Sequence, residues 1–166
     1  FGYVRQNGIK VYRPQSQSRF LFGGSFKDYY CFGQEQLPAT GDTLFITGGE
    51  KDVLSLAAHG FPAICFGSET VRIPHRLIKE LSQRFQNIIL LYDMDATGKK
   101  QAIALQQELA EYNVSRIELP LAGTKQEKDI SDYFRLGHTA TEFRRLMPRP
   151  EVRQYTQHKN GQTFKH

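Results

Sequence analysis

Three short apolar runs, at residues 43–47 (TLFIT), 61–66 (FPAICF) and 88–92 (IILLY), and a fourth, mixed run at 113–120 (NVSRIELP), alternate along the chain with amphipathic segments of helical length. Each run is too short for a stable isolated helix, is rich in β-branched and aliphatic residues, and is bounded by turn formers, so each reads as a strand. Strands alternating with helices predict an α/β fold: a four-stranded parallel sheet with right-handed crossovers, flanked by those helices. The intervening segments carry suitable apolar stripes. Residues 52–60 place Val53, Leu56 and Ala57 on one face and stop at Gly60, a C-terminal helix signal. Pro74 opens a second helix with Leu77, Ile78 and Leu81 inward; a third runs from about Thr97 to Tyr112 with Ile103, Ala104, Leu105 and Leu109 inward.

The first 40 residues break this rhythm and predict a small β-rich lobe. Two extended runs surround Asn7-Gly8, the dipeptide favoured in two-residue hairpins because both central positions take positive φ. A second hairpin is expected in residues 19–33, with Gly23, Gly24 and Ser25 opening its turn. Lys10, Arg13 and Arg19 punctuate these strands beside Tyr12 and Phe20, a pattern that serves either an ordinary polar face or one that grips phosphates and stacks bases. Pro38, Thr40 and Gly41 mark the change of periodicity. The expected division is a lobe at 1–40, the α/β domain at 41–146, and a basic tail or linker at 147–166.

The third apolar run ends in acid. Asp93 and Asp95 alternate across Met94, and an extended backbone turns both carboxylates to one side of the strand end. In an open parallel sheet, ligands collect beyond the carboxyl ends of the strands. Hard oxygen ligands there suit Mg²⁺, which takes one or two protein carboxylates and completes its shell with water and phosphate oxygens. The bland alternative is a turn cap, since Asp after a strand commonly starts a helix. The loop after the fourth strand brings Lys128, Asp129 and Asp132 to the same edge; Lys128 adjoins Asp129 and is the better phosphate candidate, whereas Lys99 and Lys100 read as solvated.

The net charge of +5 suits a nucleic-acid partner, but the residues from Arg144 onward carry all of it. Cys31 and Cys65 sit in apolar strand-like runs and read as buried, inert thiols; neither CxxC spacing nor a nearby histidine pair makes a zinc site. No apolar run approaches the roughly 18 residues of a membrane span, so a cytoplasmic protein without membrane contact is expected. A start without Met, inside a strand, reads as part of a longer polypeptide. No GxxxxGK[ST] occurs, so these residues hold no Walker-type P-loop.

The glycine-containing acidic turn GGEKD after the first parallel strand, followed by DMDATG after the third, resembles the TOPRIM domain shared by bacterial primases, topoisomerases and some nucleases. The downstream KDISDYF and the lobe ending CFGQEQLP resemble primases more closely, including phage primase-helicases, and the whole is similar to TOPRIM proteins of bacterial mobile elements. The resemblance implies a Rossmann-like sheet and a primase core that joins ribonucleoside triphosphates on a single-stranded DNA template, with a replicative helicase as a further candidate partner. It implies Glu50, Asp93 and Asp95 as catalytic residues, and Asp93, Asp95 and Asp129 as ligands of Mg²⁺ or Mn²⁺. Lys10, Arg13, Arg19 and Lys128 are then the phosphate-binding residues. One departure stands out. With Asp52 aligned to the family's Glu-Gly-x-x-Asp turn, the position of the first Glu is Gly48. Glu50 or Glu69 then substitutes for it, or the domain is a non-catalytic nucleic-acid-binding module; a TOPRIM nuclease is the third reading.

Overall fold

A computed structural model describes residues 1–25, 29–67 and 72–148. Strands β1 (Gly2–Arg5), β2 (Gly8–Tyr12) and β3 (Phe20–Gly24) form an antiparallel sheet in that order. The first hairpin forms, but its loop is Gln6-Asn7, not Asn7-Gly8, since Arg5 pairs with Gly8. Neither loop residue has positive φ. Gly8 instead pairs with Gly24, which has φ 93° and where an added Cβ would lie 2.7 Å from Gly8 Cα, so the close crossing requires glycine at position 24.

The second expected hairpin does not form. β3 pairs with β2, and β4 (Cys31–Phe32) leaves to join the main sheet antiparallel to β6 (Ala63–Phe66). The reason is burial. Every residue of β3 is exposed, whereas Cys31 is wholly buried and contributes to the main core.

The main sheet runs β4-β6-β5-β7-β8, where β5 is Gly41–Thr47, β7 is Phe85–Leu91 and β8 is Val114–Arg116. β5 to β8 are the four expected parallel strands, and β4 adds an antiparallel fifth at the edge. Among the described residues five α-helices cover it: α1 (Glu50–Ala58), α2 (His75–Arg84), α3 (Ala96–Glu108), α4 (Ile130–Arg135) and α5 (Ala140–Leu146). Alternate strand residues feed two cores. Leu44, Ile46, Ile88 and Leu90 pack with Leu77, Ile78 and Leu81 of α2 and Leu105 of α3. Phe45, Ile89 and Leu91 pack with Val53 and Leu56 of α1, Tyr133 of α4 and Phe143 of α5. Each such side chain contributes about 1.5–3 kcal/mol by leaving water.

Cys31 and Cys65 lie in opposite cores, so the sheet itself separates them. Both are free thiols, and burial pushes the Cys31 thiol up to about 12. Gly60, at φ 80°, follows α1 as expected. Leu105 and Leu109 face inward as expected, but Ile103 and Ala104 are exposed and Ala102 takes the buried position. Gly98, pressed against the backbone of Asp93, sets the rotation of α3, so the buried stripe runs 98, 102, 105, 109. No helix among the described residues is long and apolar enough to cross a membrane.

Candidate metal centre

The carboxyl ends of β5 and β7 lie side by side, with Thr47 opposite Leu91. β5 runs through Gly48 and Gly49 into α1, whose first turn carries Asp52. Just past β7, the chain delivers Asp93. The segment after β8 ends at Asp129, the N-cap of α4, whose Oδ1 accepts from the Asp132 N–H at 2.9 Å. One carboxylate oxygen from each of Asp52, Asp93 and Asp129 lies within 4.8 Å of the other two. A single backbone hydrogen bond, Met94 N–H to the Lys128 carbonyl at 2.6 Å, ties the loop carrying Asp93 to that carrying Asp129.

Around these acids the polar contacts are specific. Asp52 Oδ1 accepts from the Ser131 hydroxyl at 2.9 Å. Lys51 Nζ lies 2.7 Å from Asp129 Oδ2. Lys128 Nζ bridges the DMD motif, pairing with Asp93 and lying 3.4 Å from Asp95 Oδ2. Asp95 also caps α3, accepting from the Gly98 N–H at 2.9 Å, and therefore stands beside the cluster and outside its three-acid centre.

The electrostatics follow from burial. Asp52 and Asp129 are nearly inaccessible. Desolvation first, then the facing Asp129 charge, pushes the Asp52 carboxyl up to about 8. Asp93 is raised too, mainly by burial and against the pull of Lys128. Asp95 is lowered, chiefly by the Gly98 N–H. Lys128 is raised by its hydrogen bond to Asp93. Three hard oxygens converging with unfavourable mutual charge form a donor set that fits a divalent cation such as Mg²⁺.

Gly98 is the narrowest point of this construction. A Cβ there would meet the Asp93 carbonyl oxygen at 2.3 Å, and that backbone has no room to yield. We expect Gly98→Ala to lower stability by about 2–3 kcal/mol and to weaken divalent-metal binding, measured by urea unfolding and Mn²⁺ titration.

The other expected site residues lie elsewhere. Glu50, at the start of α1, pairs with Lys10 Nζ at 2.7 Å, with side-chain exposures of 5% and 3% respectively. Lys10 also donates to the Gly67 carbonyl at 3.3 Å and sits over the rings of Phe20 and Tyr30. Burial, then a hydrogen bond to Glu50, raises the Tyr30 phenol. Arg13, bonded to the Ser18 carbonyl at 3.0 Å, and Arg19 are exposed on the β2–β3 connection. Glu69 is outside the described residues. Asp52 and Lys51 are the residues that the sequence reading passes over as site members; the acid closing the GGEKD turn was the available signal for Asp52.

The Toprim-like family model matches residues 45–134, more than half of the chain, and the chain belongs to that family. Solved structures share the fold. The primase fragment of the bacteriophage T7 primase-helicase protein is 24% identical, with a TM-score of 0.60, over 87% of this chain and 60% of that one. The E. coli primase catalytic core is 20% identical, with a TM-score of 0.65, over 84% of this chain and 47% of that one. A DnaG primase catalytic domain bound to single-stranded DNA is 19% identical at the same TM-score of 0.65, with coverages of 84% and 47%. This chain thus spans less than two thirds of each of these three. No curated protein matches it. The fold is that of a primase-type TOPRIM domain, including the β-rich lobe before the sheet.

Proposed function

We propose that this chain is the metal-dependent nucleotidyltransferase core of a DNA primase, making RNA primers on single-stranded DNA. The observation that carries the reading is the convergence of Asp52, Asp93 and Asp129 at the carboxyl edge of a primase-type sheet. In the reaction a ribonucleotide 3′-hydroxyl attacks the α-phosphorus of the next triphosphate and pyrophosphate leaves. Asp52, Asp93 and Asp129 would hold Mg²⁺ or Mn²⁺, with Asp95 beside them. The bound ion supplies charge neutralisation at the phosphates.

The chain's own residues do the rest. Asp95 orders the start of α3 and, with Asp93, fixes Lys128 at the edge where phosphates arrive. Arg13 and Arg19 offer exposed charge to the template backbone. Glu50 is held by Lys10, and we assign it to joining the lobe to the catalytic turn. A replicative helicase is the further partner that this reading proposes.

A second reading, a nucleic-acid-binding module without catalysis, is favoured by Gly48 at the usual Glu position and by the engagement of Glu50 with Lys10. One incubation with labelled ribonucleotides, single-stranded DNA and Mg²⁺ or Mn²⁺ separates the readings. Oligoribonucleotide product that disappears in Asp93→Ala supports the primase. Strand binding without product, with synthesis gained in Gly48→Glu, supports the binding module. Cleavage of the DNA would identify a nuclease.

A further inference from the structure

The acidic cluster already holds two cations of the chain's own. Lys51 Nζ lies on Asp129 at 2.7 Å, and Lys128 Nζ bridges Asp93 and Asp95. The pattern is crossed: Lys51 follows Glu50 and precedes Asp52 but pairs with Asp129, while Lys128 precedes Asp129 but pairs with Asp93. Each ammonium is rooted beside one acid of the centre and neutralises another. Both side chains reach solvent, Lys51 at 58% exposure and Lys128 at 31%. A lysine is a compact charge on a flexible four-carbon stem, so its head can turn outward while its root stays at the site.

We infer that Lys51 and Lys128 compete with a divalent cation for these carboxylates and, once displaced, become the groups that bind the phosphates of the incoming nucleotide. The inference rests on the metal-centre reading above and extends it. Two positive charges added among Asp52, Asp93 and Asp129 face two ammoniums of like sign and take over the carboxylate oxygens those ammoniums used. Turned outward, the ammoniums raise the affinity of the edge for a polyphosphate. Metal and polyphosphate then bind with positive coupling, and that coupling is reciprocal.

The test uses the full chain and two probes. Mn²⁺ binding is followed by the paramagnetic resonance signal of the free ion, and binding of preformed Mn²⁺–tripolyphosphate by calorimetry. We expect Lys128→Met to bind Mn²⁺ alone about five- to tenfold tighter than the wild type and Lys51→Met about two- to fivefold tighter, the scale of removing a partly exposed ion pair. Both are expected to bind Mn²⁺–tripolyphosphate about tenfold more weakly. Opposite signs mark ammoniums that act through their charge on both metal and phosphate, because loss of a merely structural lysine would weaken both.

Unchanged or weaker Mn²⁺ binding in either folded variant overturns the inference, as does tighter Mn²⁺ binding with unaltered tripolyphosphate affinity. If Lys128→Met does not fold, the more exposed Lys51→Met carries the same two measurements. Wild-type protein that takes up no Mn²⁺, or takes it up equally in Asp93→Asn, overturns the metal centre itself and the inference with it.

Discussion

Glu50→Ala is expected to lower the free energy of unfolding by about 3–5 kcal/mol, because it leaves the Lys10 ammonium buried without its counter-charge. The Gly67 carbonyl at 3.3 Å and the faces of Phe20 and Tyr30 remain, but they replace neither a carboxylate nor water. Lys10→Ala strands the acid in the same way and is expected to cost a similar amount. The double change Lys10→Met with Glu50→Leu removes both charges while keeping volume, and is expected to recover part of that loss, staying about 1–3 kcal/mol below the wild type because the Tyr30 phenol loses its bond to Glu50 and the Gly67 carbonyl its bond from Lys10. Urea unfolding of the wild type, Lys10→Met, Glu50→Leu and their combination closes the cycle. The same site decides what Glu50 does. Mn²⁺ affinity in Glu50→Gln is expected to match the wild type; a loss as large as that of Asp93→Asn would place Glu50 in the metal centre instead.

Asp52→Asn is expected to change stability and metal binding in opposite directions. Asp52 has its carboxyl raised to about 8 in the folded protein, against about 3.9 in an unfolded chain. Between those values the folded state keeps a proton that the unfolded state has lost. Its contribution to stability is therefore full below about pH 4 and is lost as the pH rises through about 8. In chelator, wild-type Tm should fall from pH 5 to pH 9, and the substituted amide should flatten this part of the profile. At pH 9 the variant should melt on the order of 5 °C higher. Its amide oxygen can still accept from the Ser131 hydroxyl, so packing is retained. Mn²⁺ affinity should fall by at least about tenfold, since an amide is a weaker ligand than a carboxylate. Lower stability than the wild type at pH 9 in chelator would show that Asp52 is held mainly by its hydrogen bonds. The expected combination marks a charge cluster kept for binding at the expense of stability.

The parallel strands are legible in the sequence because a strand covered on both faces must be apolar at nearly every position, as TLFIT and IILLY are. Gly60 and Pro74 are legible because backbone rules act locally. The hairpin at residues 2–12 is also local, yet its loop is displaced by one residue, with Gly8 paired to Gly24, where an added Cβ would press on the backbone of Asn7 and Gly8. That partner lies too far along the chain for a dipeptide rule to see. The destination of β4 is similarly remote: nothing near Cys31 says that its strand partner is β6.

The acidic edge divides in the same way. Sequence alone determined that β7 leads into Asp93 and Asp95, that GGEKD follows β5, and that Asp129 follows the fourth strand, because order along the chain and the topology of a parallel sheet bring those ends together. Tertiary structure decided which acids converge. Asp95 is drawn to the Gly98 N–H, and Glu50 is drawn to Lys10 across the lobe interface. Asp52 turns toward Asp93 and Asp129. Successive residues of a helix turn by about 100°, so Glu50 and Asp52, two residues apart, point to nearly opposite sides and serve different partners, and packing chooses between them.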